Sequence, residues 1–228
     1  MSARKLVVRF AIRETVGVAT TAAALLGAAG DLRWLPGWGI VVLTAAWTLA
    51  TGIVITRTHP DLLAERLGPK KGSKPRDLAL MSAYGLVQLA MLVVAGLDHR
   101  FGWTGTWPVV ATAAALAVVG LGHATVVWAT AVNAFFSQIV RVQTERGHHV
   151  VRDGPYRFVR HPAYTGTIAV GLASPLALGS WAAAGVGLLG ATLIVARTAL
   201  EDATLHAELP GYPDYADEVR ARLVPRVW

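Results

Sequence analysis

Apolar runs long enough to cross a bilayer dominate this sequence, and they restrict the chain to one kind of fold. A helix needs roughly 20 mainly apolar residues to traverse the hydrocarbon core, and such stretches occur at 11–30, 34–56, 78–97 and 108–132. A fifth, 163–197, is apolar for 35 residues, too long for one ordinary crossing. Ser174-Pro175 and Gly179-Ser180 interrupt it, so it reads as a tight helical hairpin of two short spans. The expected fold is all-α: a polytopic transmembrane helical bundle of about six spans, the last two the short hairpin. Residues 1–132 form an N-terminal four-span region. Residues 133–228 hold the polar segments, the hairpin and a C-terminal tail.

Charge tests this layout. Only 15% of the 228 residues are charged, against about 25% in soluble domains. With six crossings, both termini and the loops at 57–77 and 133–162 share one side. Those regions carry 19 of the 21 Lys and Arg residues, leaving only Arg33 and Arg100 opposite. Excess basic residues mark the cytoplasmic side, so the protein is expected in the cell membrane with its polar segments facing the cytoplasm. The net charge of +7 then reports topology and contact with lipid phosphates, not a nucleic-acid groove with interleaved aromatics. The N-terminal run carries Arg13 and Glu14 and has no small-residue cleavage site, so it reads as a retained span. There is no cysteine, which excludes disulfides and thiolate metal sites.

Within this frame most residues take structural roles. Trp34, Trp38, Trp103, Trp107 and Trp181 fall at the outer ends of spans, where indole rings anchor to the interface. Gly17, Ala22 to Ala24, Ala111 to Ala115, Gly185, Gly187 and Gly190 suit close helix packing in lipid. Residues 59–67 read as a short amphipathic helix lying on the interface, ended by Gly68-Pro69 and followed by a flexible basic turn at Lys70-Lys71. Arg13 and Glu14 are placed to pair or snorkel. His123, in mid-span, reads as a neutral histidine hydrogen-bonded to a neighbouring helix.

Chemistry concentrates after the fourth span. His148-His149 lacks the spacing of a metal site, so no metal is expected. Val150-Val151 is a short β-like piece, and Gly154-Pro155 is a turn. Thirteen residues, Gly154-Pro155-Tyr156-Arg157-Phe158-Val159-Arg160-His161-Pro162-Ala163-Tyr164-Thr165-Gly166, then concentrate rings and donors in an otherwise apolar chain. Pro162 holds His161 extended and opens a helix whose first amides can donate to a polar ligand. Arg197 and Glu201 stand four apart at the end of the last span, a spacing that suits an i, i+4 ion pair. Tyr212 and Tyr215 follow in a tail that can fold back on the motif.

Together these residues resemble the isoprenylcysteine carboxyl methyltransferase family, itself similar to phospholipid N-methyltransferases. The shared signature is Gly-Pro-Tyr-x-x-x-Arg-His-Pro-x-Tyr-x-Gly, then Arg-x-x-x-Glu about 30 residues on, and a Tyr-x-x-Tyr. It covers roughly 140–225. Eukaryotic members carry a run of glutamates where this chain has Leu200-Glu201-Asp202, and their spacing between the positions of Gln143 and His148 is longer. The resemblance implies an S-adenosyl-L-methionine (SAM) site lined by Gln143, His148, His149, Val150, Val151, Tyr156, Arg160, His161, Pro162, Ala163, Tyr164 and Glu201. It also implies that Arg197 faces the methyl acceptor, with Arg197 and Glu201 the catalytic pair, and that 133–228 is the cofactor-binding and catalytic region.

The residue types suit that chemistry. Tyrosine faces stabilise a sulfonium, Glu201 and His161 suit the amino and carboxylate ends of the cofactor, and Arg197 can orient an acceptor carboxylate. Transfer to a carboxylate needs positioning and exclusion of water rather than a base. The expected partners are a lipophilic or prenylated acceptor and membrane lipid. Phospholipid amines and small hydrophobic thiols stay open as acceptors, with His149 or Glu201 available as a base. A non-catalytic membrane protein and a nicotinamide-dependent reductase are the readings from other classes.

Overall fold

The computed structural model describes residues 3–68 and 72–228; the Lys70-Lys71 turn, with Pro69, lies outside the described residues. The helices are α1 (Ala3–Ala29), α2 (Leu35–Thr58), α3 (Leu62–Arg66), α4 (Pro75–Phe101), α5 (Val109–Val132), α6 (Pro162–Ala177), α7 (Trp181–Glu208) and α8 (Tyr212–Glu218). Single 3-10 turns at Thr144–Arg146 and Gly154–Arg157 punctuate the long connection between α5 and α6. No strand forms among the described residues. Val150 and Val151 instead occupy an irregular segment without a pairing partner. Val150 packs against the cluster around Leu209, Tyr212 and Tyr215, and Val151 against Ala129, Tyr156 and Ala163.

Proline sets several starts. Pro36, Pro75, Pro162 and Pro213 sit in the first turns of their helices, where a missing N–H costs nothing. Four helices, α2, α4, α5 and α7, are long and apolar enough to cross a membrane. That is fewer than the six crossings expected. The charged residues from Arg4 to Glu14 lie within α1, and α6, at 16 residues, spans only about 24 Å at 1.5 Å per residue. Both nevertheless pack along the long helices, α1 against α4 and α2, α6 against α5 and α7.

The hairpin forms, but its break lies later than Pro175, which is accommodated in the last turn of α6. Gly179 makes the turn at φ +69°, and a side chain there would meet Trp107 at 2.9 Å. The Ser180 hydroxyl then caps α7 by accepting from the Ala183 amide at 3.0 Å. Where α5 crosses α6, Gly122 and Gly166 meet backbone to backbone. A Cβ on Gly166 would lie 2.5 Å from the Gly122 carbonyl oxygen, so the last glycine of the motif is a packing residue. Gly187 and Gly190 are likewise crowded, whereas Gly17 and Gly185 face open space.

The tryptophans divide. Trp38, Trp103 and Trp181 are exposed as anchors should be. Trp34 instead belongs to the core, stacked on His99 with ring centroids 4.3 Å apart. That core, with Leu25, Met91, Val119 and Ala177, sits away from the motif. At the opposite end the start of α1, α3, the start of α4, the end of α5, the start of α6 and the end of α7 converge. Arg13 pairs with Glu14 there and also bonds the Arg66 carbonyl. Leu62 and Leu63 of α3 are buried against Phe10 and Ile55.

Candidate active site

The connection from α5 to α6 is held open by its own polar side chains. Asn133 ends α5 and accepts from the Phe135 amide at 2.9 Å, while its amide group donates to the Tyr156 hydroxyl at 3.0 Å. Gln143 is fully buried; it donates to the Phe135 carbonyl at 2.7 Å, and its backbone N–H donates to His148 Nδ1 at 3.2 Å. Gly147, at φ +66°, closes that turn. The Val140 amide donates to Asp77 at 2.7 Å, tying the connection to α4.

The C-terminal tail straps the motif. The amides of Arg160 and His161 donate to the carbonyls of Ala221 and Arg222, both at 2.9 Å. Tyr215 donates to the Tyr156 carbonyl at 2.7 Å. The centre of this strap is Asp202, 1% exposed. Its Oδ1 accepts from Arg160 Nε and the Tyr212 hydroxyl, both at 2.8 Å, and lies 3.1 Å from His161 Nε2. Its Oδ2 accepts from Arg222 Nε at 2.8 Å and Arg160 Nη2 at 3.0 Å. Burial opposes the Arg160 charge, but Asp202 overrides it and raises the guanidinium pKa. Asp202 and the lining positions Asn133 and Phe135 are absent from the residues expected from sequence.

Between connection and strap lies a cleft lined by ten of those expected residues: His148, His149, Val150, Val151, Tyr156, Arg160, His161, Ala163, Tyr164 and Glu201. Gln143 and Pro162 are brought beside it but do not line it; the first braces the loop and the second starts α6. The first-turn amides of Tyr164 and Thr165 turn back to the His161 carbonyl. His148 stacks on Phe135 with centroids 4.5 Å apart. Its pKa is pulled down to about 4, first by burial and then by His149 and the nearby arginines, so the ring is neutral at physiological pH. Burial likewise pushes the Tyr156 phenol up. Tyr164 donates its hydroxyl to Glu201 and stacks on His161.

A second cavity, of about 650 Å³, opens behind Tyr164 and runs among α1, α2, α4, α5, α6 and α7. Phe136, Ser137, Ile139 and Tyr164 line both spaces. Arg197 lines this cavity and not the cleft. It does not pair with Glu201. Asp77, in the first turn of α4, takes its Nε at 2.6 Å and its Nη2 at 3.1 Å, and Nη2 also donates to the Gln138 carbonyl at 2.7 Å. The Arg197 guanidinium lies 5.0 Å from the Tyr164 ring centroid. The cause is geometric: the Glu201 side chain turns to Tyr164, and α4 packs directly on α7. Deeper in the cavity, His123 stacks on Trp47 with centroids 5.1 Å apart. The expected hydrogen bond from His123 to a neighbouring helix is not made, for neither His123 Nδ1 nor Trp47 Nε1 has a partner among the described residues. Those residues hold no cluster of three or more metal-ligating His, Asp or Glu side chains.

Much of the segment that builds this geometry is similar to a known family. Residues 112–207, from α5 to the end of α7, match the model of the "Isoprenylcysteine carboxyl methyltransferase (ICMT) family". No curated protein matches the chain. Among solved structures the fold resembles a eukaryotic intramembrane Ras methyltransferase, isoprenylcysteine carboxyl methyltransferase. The TM-score is 0.59 at 16% identity, covering 94% of this chain and 75% of that one.

Proposed function

We propose that this chain, which matches the isoprenylcysteine carboxyl methyltransferase family over residues 112–207, transfers a methyl group from SAM to a lipophilic acceptor held in the membrane. Members of the family are methyltransferases. The acceptor that fits best is a carboxylate on a prenylated or similarly apolar body. One observation carries this reading: a polar, ring-lined cleft and an apolar cavity of about 650 Å³ abut at Tyr164, Phe136, Ser137 and Ile139. A reaction between a polar cofactor and a lipid needs two such spaces meeting at one wall.

The residues of the cleft suit SAM. Bound there, the cofactor would supply an electrophilic methyl on a positively charged sulfur. The faces of Tyr156 and Tyr164 attract such a cation. Glu201 is an acceptor for its ammonium, and the neutral His148 ring can stack or accept without adding positive charge. The strap at Asp202 orders Arg160, His161 and Tyr212 along the wall of the cleft. Tyr164 is then the partition against which donor and acceptor meet, its hydroxyl fixed by Glu201 and its face by Arg197. The Asp77–Arg197 pair is a positioning device for that ring. No general base is required for a carboxylate acceptor.

In this reading the cleft faces the cytoplasm, on the side of the 19 basic residues, and α1 and α6 complete six membrane-embedded helices. Transfer of labelled methyl from SAM, with the full chain in lipid nanodiscs and a prenylcysteine analogue as acceptor, tests the reading. Label in a base-labile ester supports it. Label in a base-stable amine or thioether would assign a phospholipid amine or thiol acceptor instead.

A further inference from the structure

Among the described residues four arginines line the two spaces, and three of them are paired with carboxylates. Arg197 has Asp77, Arg160 has Asp202, and Arg141 has Glu65 and Glu145; Arg13, which lines neither space, has Glu14. Arg66, at the end of α3, is 5% exposed and lines the second cavity, yet it pairs with no carboxylate among the described residues. Its contacts are weak. Nη2 reaches the Thr130 hydroxyl at 3.3 Å and the Phe136 carbonyl at 3.4 Å, and Nε is buried with no partner. The guanidinium lies 5.1 Å from the Phe136 ring centroid, beside the wall shared by cleft and cavity. The carboxylate field it feels is that of Glu14, already committed to Arg13. Burial draws its pKa down to about 10, which still leaves it charged at neutral pH.

A buried cation without a counter-ion costs several kcal/mol, and the cavity beside it is large enough for a lipid body. Resting on the methyl-transfer reading above, we propose that Arg66 is a specificity-determining residue of the second cavity: it receives the anionic head group of the acceptor and sets the preference for a carboxylate over an amine. A carboxylate bound at the open Nε edge would complete the ion pair, with its apolar body lying among Met91, Leu92 and Val126. An amine head would bring a cation to a cation. Turnover reinforces the choice. A carboxylate oxygen takes the methyl carbon and the carbon–sulfur electron pair stays on sulfur, leaving a neutral ester and a neutral thioether. The ester no longer pairs with Arg66, which favours its release.

The test is equilibrium binding to the full chain in nanodiscs of three aliphatic amphiphiles matched in chain and differing in head: carboxylate, primary alcohol and amine. The native protein is expected to prefer the carboxylate on the order of tenfold or more, as a charge-assisted bond to a buried group implies. Arg66→Met should abolish that preference while leaving alcohol binding and SAM affinity unchanged, and its thermal midpoint should not fall, because an unpaired charge has been removed. Arg66→Lys, should the methionine variant fail to fold, should keep only part of the preference. The inference is overturned if either variant retains the full carboxylate preference, if Arg66→Met weakens all three ligands equally, or if the native protein prefers the amine. Loss of SAM binding by the native protein would instead sink the methyl-transfer reading itself, and the two failures are read separately.

Discussion

Arg197 on α7 and Asp77 at the start of α4 form a doubly hydrogen-bonded ion pair, Nε to Oδ1 at 2.6 Å and Nη2 to Oδ2 at 3.1 Å, directly behind the Tyr164 ring. Both partners are buried, so neither charge is solvated when the other is lost. Asp77→Ala is expected to destabilise by about 3–5 kcal/mol, seen as a lowered thermal midpoint. The double variant Asp77→Leu with Arg197→Met should recover much of that loss. Additive losses would show that the two residues act independently.

Asp202 holds the tail against the motif through four side chains. Asp202→Asn leaves Arg160 buried without its counter-ion, an expected loss of roughly 3 kcal/mol. Limited proteolysis should then cut the segment after α7 faster, and calorimetry should show weaker SAM binding. Unchanged cleavage would mean that the bonds between the 160–161 amides and the 221–222 carbonyls suffice.

Much of this arrangement is legible in the sequence, because apolar run length and local motifs are properties of contiguous chain. The helices around 34–56, 78–97 and 108–132, the hairpin, and ten cleft residues between His148 and Glu201 follow from it. What escapes is contributed singly by distant helices. Asp77, Arg66 and Trp47 carry no local pattern, and nothing one-dimensional says that Arg197 turns to α4 rather than to Glu201. Asp202 had one available signal, a second acid beside Glu201, since neighbouring helical positions point about 100° apart and can serve different partners. The Val150-Val151 strand failed for want of a partner, a tertiary fact.

His148 gives a pH signature. Its folded pKa, about 4, lies below the ordinary 6.5, so the unfolded chain takes up a proton that the folded one refuses. The stability it contributes is complete above pH 6.5 and is lost as pH falls from 6.5 towards 4. Thermal midpoints measured across that window should fall for the native protein and fall less for His148→Phe.

Tyr164→Phe removes the hydroxyl held by Glu201 but keeps the ring. It should reduce kcat/KM by about five- to tenfold, near the worth of one hydrogen bond, with SAM affinity little changed. Glu201→Gln should weaken SAM itself, on the order of tenfold or more, because in the proposed reading it removes the negative charge that faces the cofactor's ammonium. Equal effects of the two variants on SAM affinity would contradict these separate roles.

The most direct measurement of the central claim is the fate of labelled methyl from SAM when the native chain in nanodiscs is given a prenylcysteine carboxylate and a total lipid extract. Label is expected in a lipophilic product, released as methanol by mild alkali and reduced in Glu201→Gln at limiting SAM. Absence of transfer to any lipid, or label that alkali does not release, would contradict the claim.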